Sequence, residues 1–160
     1  MSRKLHVMAV PSAGGHWVQL MSLRPAWKGF RITYVTTDPD FYQIVRQYAE
    51  HDGEAPPGFH TVVEANLWQK WRLIKQLLGI AFIMVRNRPD VVLSTGAAPG
   101  YFALRVGKLL GAKIVWIDSM ANAEELSMSG QRIGKHADLW LTQWEHLAKP
   151  EGPQYLGSVL

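Results

Sequence analysis

The sequence predicts an α/β fold of Rossmann-like type, with a mostly parallel sheet and helices on both faces. Three observations predict it. Short β-rich runs alternate with longer helical patterns along the chain, and repeated βα units fold as parallel strands joined by crossover helices. The runs 91–95 (VVLST) and 113–117 (KIVWI) are almost continuously apolar, as strands buried on both faces must be. Turns of small residues follow the first and fourth of these runs and precede helical patterns, and parallel sheets bind ligands at such strand ends.

Taken in order, 5–11 reads as the first strand, and the turn Ser12-Ala13-Gly14-Gly15 opens a helix that continues to Trp27. The second strand is 31–37. Asp38 or Asp40 can cap the next helix, 41–49. Proline and glycine mark 51–58 as a loop before a third strand at 60–64. A long helix, 67–88, ends at Pro89, and the fourth strand is 91–95. A Gly/Pro loop leads to a helix at 101–110 closed by Gly111. The fifth strand 113–118, a helix 127–136, a sixth strand 139–143 and a last short strand within 154–160 complete the pattern.

The 160 residues suit one domain spanning 1–160. With 48% hydrophobic and 19% charged residues, disorder is excluded. The absence of cysteine excludes disulfides, thiolate catalysis and cysteine-held zinc or iron–sulfur sites. A net charge of +4 asks for an anionic partner. No nucleic-acid recognition motif is present, which leaves phospholipid or a phosphorylated substrate. The segment 5–11 is too short for a signal peptide and is interrupted by His6. No segment reaches the roughly 18 apolar residues of a spanning helix. A peripheral protein is therefore expected.

Two turns carry candidate chemistry. In 12–16 (SAGGH), glycines allow close backbone approach, and N–H groups at a helix start favour an anion. His16 at the helix entrance can accept a proton or donate a hydrogen bond. The spacing matches neither G-x-G-x-x-G nor a P-loop, and a plain tight turn is the alternative. The second turn, 94–101 (STGAAPGY), repeats the arrangement. Two helix N-termini facing each other across a cleft would suit a diphosphate better than one. The helix 67–88 has a third kind of signal. It bears Lys70, Arg72, Lys75, Arg86 and Arg88 with no acidic residue. Leu67, Trp71, Ile74, Leu78, Ala81, Phe82 and Val85 form an apolar stripe, flanked by Trp68, Arg72, Lys75 and Arg86. Such a helix suits a bilayer interface, although one face of it must also cover the sheet.

The runs Glu125-Leu126-Ser127-Met128-Ser129-Gly130, Ala137-Asp138, Gln143-Trp144 and Tyr155-Leu156-Gly157, together with Gly14-Gly15-His16 and the 94–101 turn, resemble one family. It is the acceptor-side subunit of the two-part UDP-N-acetylglucosamine transferase of dolichol-linked oligosaccharide synthesis, to which split transferase subunits of bacterial exopolysaccharide and capsule clusters are similar. The resemblance implies the N-terminal half of a GT-B glycosyltransferase. It implies a peripheral, heteromeric subunit at the cytoplasmic face of the inner or plasma membrane. The donor UDP-sugar would be bound by a separate subunit and the acceptor would be a lipid-diphosphate-linked saccharide in polysaccharide biosynthesis. No other cofactor, no metal and no nucleic acid is expected. Family members insert a C-terminal tail into the partner, a task for Trp144, Tyr155, Leu156, Val159 and Leu160. Eukaryotic members begin with a spanning anchor that is not seen in this sequence, so docking would fall to Trp68, Trp71, Arg72, Lys75 and Arg86.

The reaction implied is inverting transfer to an acceptor hydroxyl, which needs a base and stabilisation of departing UDP. Asp118 is read first as the base and His16 as a diphosphate ligand; the reverse, or Glu124 or Glu125 as base, stays open. Ser12, Gly14, Gly15, His16, Thr95, Gly96, Gly100, Tyr101, Ser119 and Glu125 are the expected acceptor and diphosphate contacts. The alternative function is a non-catalytic membrane recruiter for a partner transferase.

Overall fold

Alternation along the first strand sets the layers. In β1 (His6–Ala9), Val7 and Ala9 join one buried cluster, while Met8 and the adjoining Val10 join the other, as period-two side chains must. A computed structural model gives the structure and describes residues 3–159. The further elements are α1 (Gly15–Ser22), β2 (Arg31–Thr36), α2 (Phe41–Asp52), β3 (Gly58–Thr61), α3 (Lys70–Asn87), β4 (Val91–Ser94), α4 (Ala97–Leu109), β5 (Lys113–Ile117), α5 (Met128–Gly134) and β6 (Leu139–Leu141). All pairings are parallel, in the order β3-β2-β1-β4-β5-β6.

The two halves of the sheet grow outward in opposite directions from β1 and β4. Because crossovers are right-handed, the helices separate by face. Trp17 and Leu20 of α1 and Val45 of α2 pack with Val7, Ala9, Tyr34 and Leu93. Ile80, Ile83 and Met84 of α3, Ala103 and Leu104 of α4 and Ile133 of α5 pack with Met8, Val92, Ile114 and Trp116. The order reverses between β1 and β4, the position of the ligand crevice in such sheets.

Several element boundaries depart from the sequence expectation for local reasons. α1 stops at Ser22, because Pro25 starts a separate 3-10 turn, Arg24–Trp27, in which its missing N–H costs nothing. α2 runs on to Asp52, where Gly53 at φ 68° ends it. β3 begins at Gly58, not His60: it sits opposite Thr33, and a Cβ there would lie 2.5 Å from Thr33 Oγ1. α4 starts at Ala97, so the expected loop 97–100 is its first turn. β6 is shorter than 139–143, and the tail contributes one parallel bridge, Leu141 to Gln154, in place of a strand.

α3 divides its two apolar sides between the sheet and solvent. Its sheet-facing row is Gln76, Ile80, Ile83 and Met84. The stripe of Trp71, Ile74, Leu78, Phe82 and Val85 points to solvent. Apolar residues occupy both sides of this helix, so periodicity could not choose between them. Tertiary contacts did: the Gln76 amide donates to Val63 O (2.8 Å) and fixes the rotation of the helix. No helix among the described residues is long and apolar enough to cross a membrane.

Candidate functional site

The carboxyl ends of β1 and β4 are neighbours, so the turns that follow them meet. The expectation was that they face each other across a cleft; in the structure they are bonded together. Thr95 Oγ1 donates to His16 O (2.7 Å), and His16 Nδ1 lies 2.9 Å from Thr95 O. A carbonyl oxygen only accepts, so Nδ1 carries the proton in that contact. In the neutral ring this leaves the lone pair on Nε2. The ring is half-buried, with Gly96 beneath it.

Gly96 meets two demands at once. Its φ is 144°, and a Cβ would lie 2.3 Å from His16 Cε1 and 2.6 Å from Nδ1. Its neighbour Ala97 also adopts positive φ, 65°, a strained state that costs on the order of 1 kcal/mol or more. Gly96→Ala should therefore displace the imidazole and destabilise the fold by about 1–3 kcal/mol. A thermal melt combined with the shift of the His16 ring resonances in NMR checks this; an unmoved ring would refute the proposed contact.

On the other side of His16, Gly14 (φ 75°) and Gly15 are exposed, with open space where side chains would be. Among the described residues, the N–H groups of Gly15 and His16 have no acceptor. Neither α1 nor α4 carries an acidic residue in its first turn or a side-chain cap at its N-terminus. Two adjoining helix starts with free donors make an electropositive corner suited to a diphosphate. Ser12 is half-buried beside it, its hydroxyl on Ala13 O (3.3 Å).

Other expected site residues have structural tasks. Asp118 is the main correction, because it is only 1% exposed. Its Oδ1 accepts from Ser119 N (3.0 Å) and Asn122 Nδ2 (2.8 Å), and its Oδ2 accepts from Ser127 N (3.2 Å). The carboxylate thus organises the 119–127 loop and is enclosed by it. Ser119 is also buried, and its Oγ accepts from Ala121 N (3.2 Å). Gly100 packs inside the fold: a Cβ would lie 1.8 Å from Ser94 Oγ and 3.2 Å from Val10 O. Tyr101 packs on the core beside Phe102. Glu125 is exposed and lines a cleft of about 480 Å³ with Glu124, Lys135, Trp140 and Lys149, away from both turns.

Of the expected interface residues, Trp144 is half-buried, and its Nε1 donates to Met120 O (2.9 Å), so it serves its own chain. Tyr155 and Leu156 are exposed. Val159 is half-buried, and its N–H donates to Gln143 Oε1 (3.0 Å). Leu160 lies outside the described residues. Asp38-Pro39-Asp40 has the spacing of a D-x-D pair, but Asp38 Oδ1 accepts the Asp40 N–H (2.9 Å) and shapes the turn into α2. Sequence reasoning missed Gln19, buried behind the turns. The one available signal was a polar residue amid the apolar side of α1.

With this geometry in view, the relatives are informative. The family model described as "Oligosaccharide biosynthesis protein Alg14 like" matches residues 7–159. The chain belongs to this family. The Alg14-like assignment bears out the resemblance carried by the 125–157 block. A curated relative is the "UDP-N-acetylglucosamine transferase subunit ALG14" of Candida albicans, 27% identical over 150 residues, covering 84% of this chain and 68% of that protein. The alg14 subunit of Schizosaccharomyces pombe is 38% identical over 77 residues, covering 44% of this chain and 37% of that one.

Among solved structures, Acinetobacter baumannii MurG matches with a TM-score of 0.70 at 12% identity, over 94% of this chain and 45% of that one. UDP-N-acetylglucosamine 2-epimerase from Rickettsia bellii matches with a TM-score of 0.68 at 17% identity, over 98% and 46%. This Alg14-like chain therefore spans under half the length of either solved structure. At such identities the likeness is one of fold: half of the GT-B architecture, as the family resemblance implied.

Proposed function

We propose that the chain is the acceptor-binding and membrane-docking subunit of a two-component inverting glycosyltransferase. A separate subunit binds the UDP-sugar, with UDP-N-acetylglucosamine, the sugar in the names of the curated relatives, as the first donor to test. The acceptor is a lipid-diphosphate-linked saccharide, and no metal or further cofactor takes part. The observation that carries this reading is the bonded pair of turns at the switch point. It joins an electropositive corner to an imidazole with its lone pair free.

In the proposed reaction the acceptor diphosphate rests on the N–H groups of Gly14, Gly15 and His16 and on the start of α4. One acceptor hydroxyl gives its proton to His16 Nε2 as its oxygen bonds to the anomeric carbon from the face opposite UDP. The bond from that carbon to the UDP oxygen breaks, and UDP leaves with the electron pair. His16 thus takes the role of base, with Asp118 enclosed by its own loop.

The membrane role rests on α3. Trp68 is 91% exposed, Trp71 80% and Phe82 69%. Lys70, Arg72, Lys75 and Arg86 lie on the same helix, which has no acidic residue. An apolar strip edged with cations matches the interfacial zone of an anionic bilayer, here the cytoplasmic face of the inner or plasma membrane.

The test is turnover of UDP-sugar on a lipid-diphosphate acceptor by this chain alone, by its co-expressed donor-binding partner alone, and by the two together. Activity is expected only in the mixture. Full turnover by the isolated chain would end the two-component reading. An isolated chain that fails to bind the lipid-diphosphate would leave it as a membrane recruiter.

A further inference from the structure

α1 holds more than the turn below it. One helical turn beyond His16, Gln19 is 2% exposed and uses both ends of its amide on the exit of β5. Nε2 donates to Asp118 O (3.1 Å), and Oε1 accepts from Met120 N (3.2 Å). β5 is separated from β1 by β4, so no strand ladder joins α1 to this loop. The side chain makes the connection. With His16 on Thr95 and Gln19 on Asp118 and Met120, one helix is tied to two successive strand ends. Two further clasps stiffen the same loop: the Asp118 carboxylate from inside, and Trp144 Nε1 on Met120 O.

We infer that Gln19 is a positioning residue for the transfer reaction: by tying α1 to the exit of β5 it fixes where His16 Nε2 stands and hence how the base meets the acceptor hydroxyl. The inference rests on reading His16 as the acceptor-side base. The chemistry explains why the residue is a primary amide. One donor and one acceptor on one planar group match a carbonyl and an N–H that bracket Ser119. A methionine of similar size would fill the space but leave both backbone groups without partners. A misplacement of about 1 Å in a positioned reactant can cost roughly 100-fold in rate.

The experiment uses the complex of both subunits with Gln19→Met and Gln19→Glu. For Gln19→Met, kcat is expected to fall by about 10-fold or more, with the KM for UDP-sugar unchanged. Hydrogen exchange of the 119–127 amides should quicken while that of the β-sheet stays as it was. Gln19→Glu supplies a readout that simple core filling would not move. A protonated carboxyl has one donor and one acceptor, like the amide, whereas the carboxylate only accepts. The ratio of its kcat to that of the wild-type complex, taken at each pH, should therefore rise as pH falls through the glutamate pKa.

A wild-type kcat in Gln19→Met, or a flat ratio in Gln19→Glu, overturns the inference. The two readings fail separately. If His16→Ala keeps turnover while Gln19→Met loses it, the base assignment falls and the link from α1 to the loop stands. If His16→Ala loses turnover and Gln19→Met does not, the link falls alone.

Discussion

His16→Ala is expected to lower kcat of the two-subunit complex by about 100-fold or more, with little change in the melting temperature of this chain. The ring is half-buried and anchored through a single side-chain hydrogen bond to Thr95 O, whose net worth to folding is roughly 1 kcal/mol. Catalytically it is the imidazole whose free nitrogen adjoins the anion corner. Asp118→Asn should show the opposite balance. The asparagine turns an NH₂ toward one of the backbone N–H groups that Asp118 now accepts, Ser119 or Ser127. A donor then faces a donor, at a cost of about 1–3 kcal/mol. Thermal melting should fall, and turnover should drop less than in His16→Ala. Parallel measurement of kcat and melting temperature on both variants decides the matter. A folded Asp118→Asn with unchanged stability and the same loss of turnover as His16→Ala would restore the aspartate as base.

The difference between these residues also shows where sequence reading reached its limit. Strand composition made the fold legible. Val91–Ser94 and Lys113–Ile117 could hardly be anything other than buried parallel strands, and parallel strands dictate the helices between them. The turns after the first and fourth strands were legible too, although the second is shorter than 94–101 because α4 begins at Ala97. The division of labour among polar residues was hidden. An aspartate at a strand end reads the same whether its carboxylate faces substrate or, as here, is enclosed by Ser119, Asn122 and Ser127 from its own loop. Gly100 reads as a ligand-facing glycine until packing against Ser94 and Val10 explains it. Gln19 joins elements 99 and 101 residues apart, and no local pattern reports such a bond. For α3, the apolar stripe was recognised but the row that covers the sheet, Gln76, Ile80, Ile83 and Met84, was not, since which face is buried depends on where the crossover lands.

The exposure of that stripe supports the case for a membrane, and it sets up the second large effect. A stripe facing the core would be ordinary packing; Trp71, Leu78 and Phe82 facing water on a well-formed helix are not. Trp71→Glu combined with Phe82→Glu is expected to weaken binding to vesicles containing anionic lipid by roughly 100-fold. The estimate follows from losing about 1.5 kcal/mol of burial per side chain, at 1.4 kcal/mol for each factor of ten. Both positions are more than two-thirds exposed, at 80% and 69%, so the fold should survive. Binding of the unaltered chain should also decline with added salt, because Lys70, Arg72, Lys75 and Arg86 contribute through charge. Co-sedimentation with vesicles at two ionic strengths gives both results. If the double variant sediments as the wild type does, α3 is not the docking face. If it keeps vesicle binding but no longer co-purifies with the donor-binding subunit, the stripe is a protein interface, and the membrane contact has to be sought elsewhere.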